Sequence, residues 1–201
     1  MGLSALREAM SITCCWPDFI AASLSDANPP DLPLLREDWA GMAFDRNLYE
    51  DFAPNDVWAA WLSALSEHFA DIAMCAVRCS ECSDGGSSVE IERGLDSLRF
   101  YWLEDGNFMR DHFLFSRDGR WVVKLDQDVT LFAGDVTFLA DVVARLGGVE
   151  HVEKMMRRDL IGTAEDVVGL GGYVKGLLAP LNASTPQPGS ALNEPEPRLK
   201  R

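Results

Sequence analysis

Between Asp56 and Ala76 the apolar residues Trp58, Trp61, Leu62, Leu65, Phe69, Ile72 and Ala76 recur every three or four positions. This is the period of a helix with one buried face, and Asn55 or Asp56 supplies an N-cap. The spacing predicts a helix from Asp56 to about Cys79–Ser83, stopped before Gly85-Gly86. Further along the period changes to two. Leu98, Phe100 and Trp102 alternate with Arg99, Tyr101 and Leu103, and Asp105-Gly106 follows. Met109, Phe113 and Phe115 lead to Asp118-Gly119, and Trp121, Val123 and Leu125 come after it. Asp-Gly between alternating runs is the strongest short-range hairpin signal, because a type I′ turn needs positive φ at both central residues. Residues 98–126 are therefore expected to form a three-stranded antiparallel meander, with further strands at Val89–Glu92 and Val129–Phe132. A two-residue turn at Asp118-Gly119 sets Phe115 opposite Val122, Phe113 opposite Lys124 and Asp111 opposite Asp126. On the other face it sets Leu114 opposite Val123 and His112 opposite Leu125, and the first turn sets Arg110 opposite Tyr101.

Beyond Gly134 helical periodicity returns. Asp135 is placed to cap a helix over Val136–Leu146 that Gly147-Gly148 would end. A second helix is expected from Val149 to about Arg158, with Glu150/Lys154 and Glu153/Arg157 at i, i+4. Thr163 with Asp166 has the form of a capping box for a third, glycine-weakened helix to about Leu178. Residues 26–56 mix Pro29, Pro30, Pro33 and Pro54 with acids and scattered aromatics, and read as an irregular wrap with short helical turns. Helices, then strands, then helices make the fold α+β: N-terminal helices, a central antiparallel meander sheet of three to five strands, and C-terminal helices. Residues 1–179 are taken as a single globular α+β domain. Residues 180–201, with five prolines and few large apolar side chains, are taken as a disordered Pro-rich tail ending in the basic Arg198-Leu199-Lys200-Arg201.

Composition narrows the function classes. A chain of 201 residues that is 47% hydrophobic can build its core without disulfides or metal. Thirty-two Asp and Glu against eighteen Lys and Arg give a net charge of −14. A binder of the phosphate backbone shows the opposite balance, so no direct nucleic-acid contact is expected. No apolar run reaches the ~18 residues of a membrane helix, and the N-terminus lacks the pattern of a secretory signal. Five cysteines, with Cys14 and Cys15 adjacent, suit a reducing cytoplasm better than a disulfide framework.

Three short motifs carry candidate chemistry. Asp126-Gln127-Asp128-Val129-Thr130 follows an apolar strand and resembles the D-x-D-x-T signature of the haloacid dehalogenase-like phosphatases over about ten residues. The resemblance implies Asp126 as nucleophile, Asp128 as acid/base and a bridging Mg²⁺. The strand–helix alternation that this family builds downstream is missing here. Cys75-x3-Cys79-x2-Cys82 has the spacing of the cluster-binding cysteines of radical S-adenosylmethionine enzymes, although Glu81 stands where that family has an aromatic residue. The same positions fall on one face of the expected helix, where cysteine packs as a small apolar residue. A zinc site would need a fourth ligand from Cys14, Cys15 or His68. Gly169-Leu170-Gly171-Gly172 with Gly176 lacks both the dinucleotide and the Walker spacing, and reads as close helix packing.

On the expected sheet, Arg99, Tyr101, Arg110 and His112 would share one face as a possible anion site. The acids concentrate in 26–56 and 81–105. Glu37, Asp38, Asp45, Glu50 and Asp51 form the densest stretch and are the candidate partner-binding residues, followed by Glu90, Glu92, Glu104 and Asp105. The reading is a non-catalytic acidic binding protein, of the immunity or antitoxin type, that inhibits a basic partner protein by electrostatic complementarity. It requires no cofactor. The alternative is a metal-dependent enzyme or metalloprotein using Asp126/Asp128 or Cys75/Cys79/Cys82.

Overall fold

A computed structural model describes residues 16–81, 88–162 and 166–184. Its centre is a six-stranded sheet: β1 (Trp39–Asp45), β2 (Met74–Arg78), β3 (Val89–Ile91), β4 (His112–Ser116), β5 (Trp121–Leu125) and β6 (Val129–Asp135). The spatial order is β1-β6-β5-β4-β2-β3 and every pairing is antiparallel. Helices α1 (Trp16–Ser23), α2 (Asn55–His68), α3 (Leu95–Leu103), α4 (Val136–Arg145), α5 (Val149–Met156) and α6 (Val167–Ser184) cover it. The fold is α+β, with one strand more than the three to five expected.

Side chains alternate between the two faces along each strand. One face carries Phe44, Val123 and Phe132, on which α2 lays Trp58 and Trp61 with ring centroids 4.9 and 5.1 Å from Phe132. Trp102 of α3 and Phe138 of α4 close this layer. The other face carries Trp39, Gly41, Phe113 and Lys124. There α6 approaches β1 so closely that a Cβ on Gly41 would sit 3.0 Å from Leu177, and Phe19 of α1 tilts against Trp39 at 5.9 Å.

The β4–β5 register is the one expected, from Phe115 opposite Val122 to His112 opposite Leu125. The turn chemistry differs. Only Gly119 has positive φ, at +70°, and its N–H donates to the Ser116 carbonyl at 3.0 Å. One left-handed glycine suffices for that turn, so the I′ form is not used. The strands at Val89 and Val129 form. The Asp135 carboxylate accepts the Phe138 N–H at 2.9 Å and caps α4, and Gly147 and Gly148 end it at φ +93° and +95°.

Four expectations are corrected. Residues 98–102 are not a strand. They lie in α3, where Leu98, Tyr101 and Trp102 are buried at helical spacing, so the period-two run hides a period-3.6 face. Asp105-Gly106 falls in the 3-10 segment Glu104–Met109, and Arg110 does not oppose Tyr101. The helix from Asp56 stops at His68 and the chain enters β2, whose Met-Cys-Ala-Val run is buried on both faces and shows no alternation. Cys75 and Cys79 therefore share no helix face. The 26–56 wrap contains β1, also buried along nearly its whole length. Finally, α6 runs to Ser184 with Pro180 inside it, past the expected boundary at 179. Asp166 serves its start by accepting the Gly169 N–H at 2.8 Å. Thr163, Cys14, Cys15, Cys82 and residues 185–201 lie outside the described residues.

Candidate functional site

The chemistry-bearing residues gather where β1, β2 and β5 end and β4 and β6 begin. Arg46, directly after β1, is buried at this rim. Its guanidinium donates to the carbonyls of Asp126 (2.6 Å), Phe108 (2.9 Å) and Arg110 (3.2 Å) and to the Asp111 carboxylate (3.4 Å). Burial lowers its pKa, against the opposing pull of Asp111 and Asp126. The guanidinium lies 4.5 Å from the ring of Phe52. Phe52 holds φ +65°, a left-handed conformation that costs a residue with a Cβ, and its carbonyl accepts from Thr130 Oγ1 at 2.5 Å. The connection from β1 to α2 is thus pinned to the turn between β5 and β6.

That turn contains the Asp-x-Asp motif. Asp126 Oδ1 accepts the N–H groups of Asp128 (3.1 Å) and Val129 (2.8 Å), while Oδ2 lies 3.4 Å from Lys124 Nζ. Thr130 is buried in β6 and bound to Phe52. The motif closes an antiparallel hairpin here, whereas the phosphatase resemblance requires the end of a parallel strand.

Next to the turn, α1 and the loop after it stand off from the sheet and leave an open cleft of about 1130 Å³. Asp18, Asp26, Asp111, Asp126 and Asp128 line it, with Lys124 the only cation among the described residues there and Ile20, Leu24, Phe113 and Val129 as apolar wall. Burial raises the Asp111 pKa, and the negative charges of Asp126 and Asp128 push the same way against Arg46. A cleft of this character repels anions and attracts cations.

The possible anion site is half assembled. Tyr101 and His112 meet, Oη to Nδ1 at 2.9 Å, although they come from α3 and β4 and not from paired strands. His112 Nε2 lies 2.9 Å from the Asn107 carbonyl, an acceptor, so Nε2 carries the proton and Nδ1 accepts from Tyr101. Burial lowers the His112 pKa, and it pushes the Tyr101 hydroxyl up to about 12. Arg99 turns away to Asp51 (2.6 Å) and Asp96 (3.2 Å), and Arg110 is exposed. The pair is a buried contact that neither Arg99 nor Arg110 joins.

The acidic stretch is also divided. Glu37 and Asp38 precede β1, Asp45 is its last residue, and Glu50 and Asp51 follow it, so the strand's length separates the two groups. Asp38 pairs with Arg36 at 2.8 Å, and Asp45 accepts the Asn47 N–H at 2.8 Å. Asp51 is only 7% exposed and is held by Arg99, which removes it from any free surface. Glu37 and Glu50 are exposed. Of the cysteines, Cys75 is buried in β2, where Arg117 Nε approaches its sulfur at 3.4 Å, and Cys79 borders the cleft. Among the described residues no three His, Cys, Asp or Glu side chains converge as metal ligands. The glycine run is helical, and a Cβ on Gly176 would meet Leu32 at 2.5 Å, which accounts for its small size.

Sequence reasoning missed Arg46, because a lone arginine reads as surface, and it missed Asp18 and Asp26, because they are distant in the chain from the Asp111–Asp126 pair that the hairpin register brings together. It also missed an apolar surface on α3 and the 3-10 segment. Phe100, Leu103, Phe108 and Met109 are 67%, 76%, 48% and 76% exposed. Comparison with known protein families, with curated proteins and with solved structures finds no match for this chain.

Proposed function

We propose that this chain is a non-catalytic acidic binding protein that takes up a basic partner protein, in the manner of an immunity or antitoxin-type inhibitor. The observation that carries this reading is the cleft beside the β5–β6 turn, with five aspartates against one lysine. Arg46 and the turn bonds hold Asp111 and Asp126 in place at its floor. The net charge of −14 extends the same field over the molecule and steers cations toward the cleft. A lysine or arginine entering it meets carboxylates over an apolar wall, which suits both the charged head and the methylene stem of either side chain. The odd number of cysteines, with Cys14 and Cys15 adjacent, supports a reducing cytoplasm as the chain's compartment.

The test uses the full chain as bait in extracts of its native host, beside the variant Asp18→Asn/Asp26→Asn/Asp128→Asn. The expected result is a basic protein retained by the wild type, released by salt, and lost from the variant. Retention of the same partner by both baits at high salt excludes the cleft as its site. Magnesium-dependent hydrolysis of a generic phosphate ester that disappears in Asp126→Asn would replace this reading with the enzymatic one.

A further inference from the structure

We propose that the apolar knuckle formed by α3 and the 3-10 segment Glu104–Met109 is the anchor of this interface. Its occupant is a partner element that presents large apolar side chains among lysines and arginines. The inference rests on the binding reading above and adds a second, chemically different contact to it.

Ten large hydrophobic residues stand exposed among those described, and four of them, Phe100, Leu103, Phe108 and Met109, fall within ten positions of the chain. Phe100 and Leu103 are three apart on the face of α3 opposite its buried Leu98, Tyr101 and Trp102. On the solvent side of a short amphipathic helix, charge is the expectation. Clustered exposed apolar residues mark interaction sites, while scattered single ones do not. The segment is held firmly. Asn107 donates to the Tyr101 carbonyl at 2.9 Å, accepts from Arg78 Nε at 3.0 Å, and offers its carbonyl to His112 at 2.9 Å. Phe108 and Met109 are therefore displayed by an ordered support.

Charge identifies the occupant. Helix α3 packs on the Phe44–Phe132 face of the sheet and the acidic cleft opens on the Phe113–Lys124 face, so the two surfaces meet at the rim, where the Arg46 guanidinium binds the Phe108 and Arg110 carbonyls on one side and the Asp126 carbonyl and Asp111 carboxylate on the other. Glu104 is exposed directly after Leu103, and the Asp96 side chain is 97% exposed one turn before Phe100. Arg99 is neutralised by Asp51 and Asp96, and the exposed Arg110 after Met109 is set against Glu104 and the molecule's net charge of −14. An apolar patch in this field accepts a cationic amphipathic element. A second copy of a chain with charge −14 is opposed by repulsion. The division of labour is that of many interfaces: apolar anchors set the lifetime and charges set the encounter rate.

The test titrates the full-length protein with two synthetic probes of equal positive charge. One is a helical peptide with leucines at helical spacing among lysines, and the other is an oligolysine. Binding is followed by NMR shifts of the patch and of the cleft, for the wild type and for Leu103→Gln/Met109→Gln, which keeps the net charge. The leucine–lysine peptide is expected to bind the wild type about tenfold or more tighter than oligolysine, shift the patch signals, and lose that advantage in the variant. Oligolysine is expected to move cleft signals alone and bind both proteins equally. Equal affinity of both probes, unchanged by the variant, overturns the anchor and leaves the acidic cleft standing. Failure of both probes to bind overturns the binding reading as well. A wild-type dimer in sedimentation that the variant dissociates assigns the face to a second copy. Patch signals already shielded from a soluble paramagnetic agent in the free monomer assign it to another part of the chain. Either of these last results overturns the proposed occupant.

Discussion

Arg46 is the residue on which the rim depends. It satisfies three backbone carbonyls from two segments, a set that suits the donor fork of a guanidinium. Arg46→Met should cost about 3 kcal/mol, because the carbonyls and Asp111 are left without their partner in a buried place. Urea unfolding measures this. Asp126→Asn, which keeps the oxygen that accepts from Asp128 and Val129, should cost less than about 1 kcal/mol in the same assay. His112 gives the residue scale a pH signature. Its pKa is lowered by burial, so the unfolded chain binds the proton more readily than the folded one. Its contribution is complete above about pH 6.5, the ordinary histidine value, and is lost as pH falls from there toward the lower folded value. Asp111, whose pKa is raised, works in the opposite sense, since its contribution declines as pH rises above about 4. His112→Gln should flatten the stability profile as pH falls below about 6.5.

At the level of elements, two glycines with the same backbone angle separate conformation from packing. Gly106 and Gly119 both have φ +70°. A Cβ at Gly106 meets nothing within 4 Å, whereas one at Gly119 would lie 2.9 Å from the Phe19 ring. Gly106→Ala should therefore cost only the left-handed penalty of about 1 kcal/mol, and Gly119→Ala clearly more, because α1 must shift. Thermal unfolding of the two variants ranks them. The contrast also shows why Asp-Gly was an incomplete guide. Both pairs require a left-handed glycine, but one closes the β4–β5 hairpin and the other follows a helix. Elements with a single local signal were legible: β4 and β5 from alternation, α4 from Asp135 at its start and Gly147-Gly148 at its end. Elements buried on both sides were not. β1 and β2 carry buried apolar or small residues at all but their last positions, which leaves no alternation to read. At α3 the two periods coincide at Leu98 and Trp102, and only the packing of Trp102 on Phe52 and Trp58 separates them. The site was legible in its aspartates and not in its assembly, since the cleft joins α1 to a turn more than a hundred residues later.

For the whole molecule, the question is which part of the charge of −14 acts at the cleft. Exposed charges interact over about 10 Å at 0.1 M salt. The seven residues of β1 place Glu37 and Asp38 roughly 23 Å from the rim where Asp45 lies. At physiological salt the first pair is beyond effective range, while Asp45, with Asp18, Asp26 and Asp128, falls on the cleft side. Neutralising Glu37 and Asp38 should therefore leave association with a cationic partner nearly unchanged. Asp18→Asn/Asp26→Asn/Asp128→Asn should slow it several-fold, with little change in dissociation. Asp51 belongs to neither set, because Asp51→Asn breaks the ion pair with Arg99 and confounds binding with stability. Stopped-flow association with the oligolysine probe, repeated from low to high salt, decides between local and diffuse attraction. If the cleft acts locally, the wild type loses its rate advantage over the triple variant as salt rises, and the two rates converge. If only total charge matters, the Glu37→Gln/Asp38→Asn variant loses rate in proportion to the charge removed, at low salt and in the same assay.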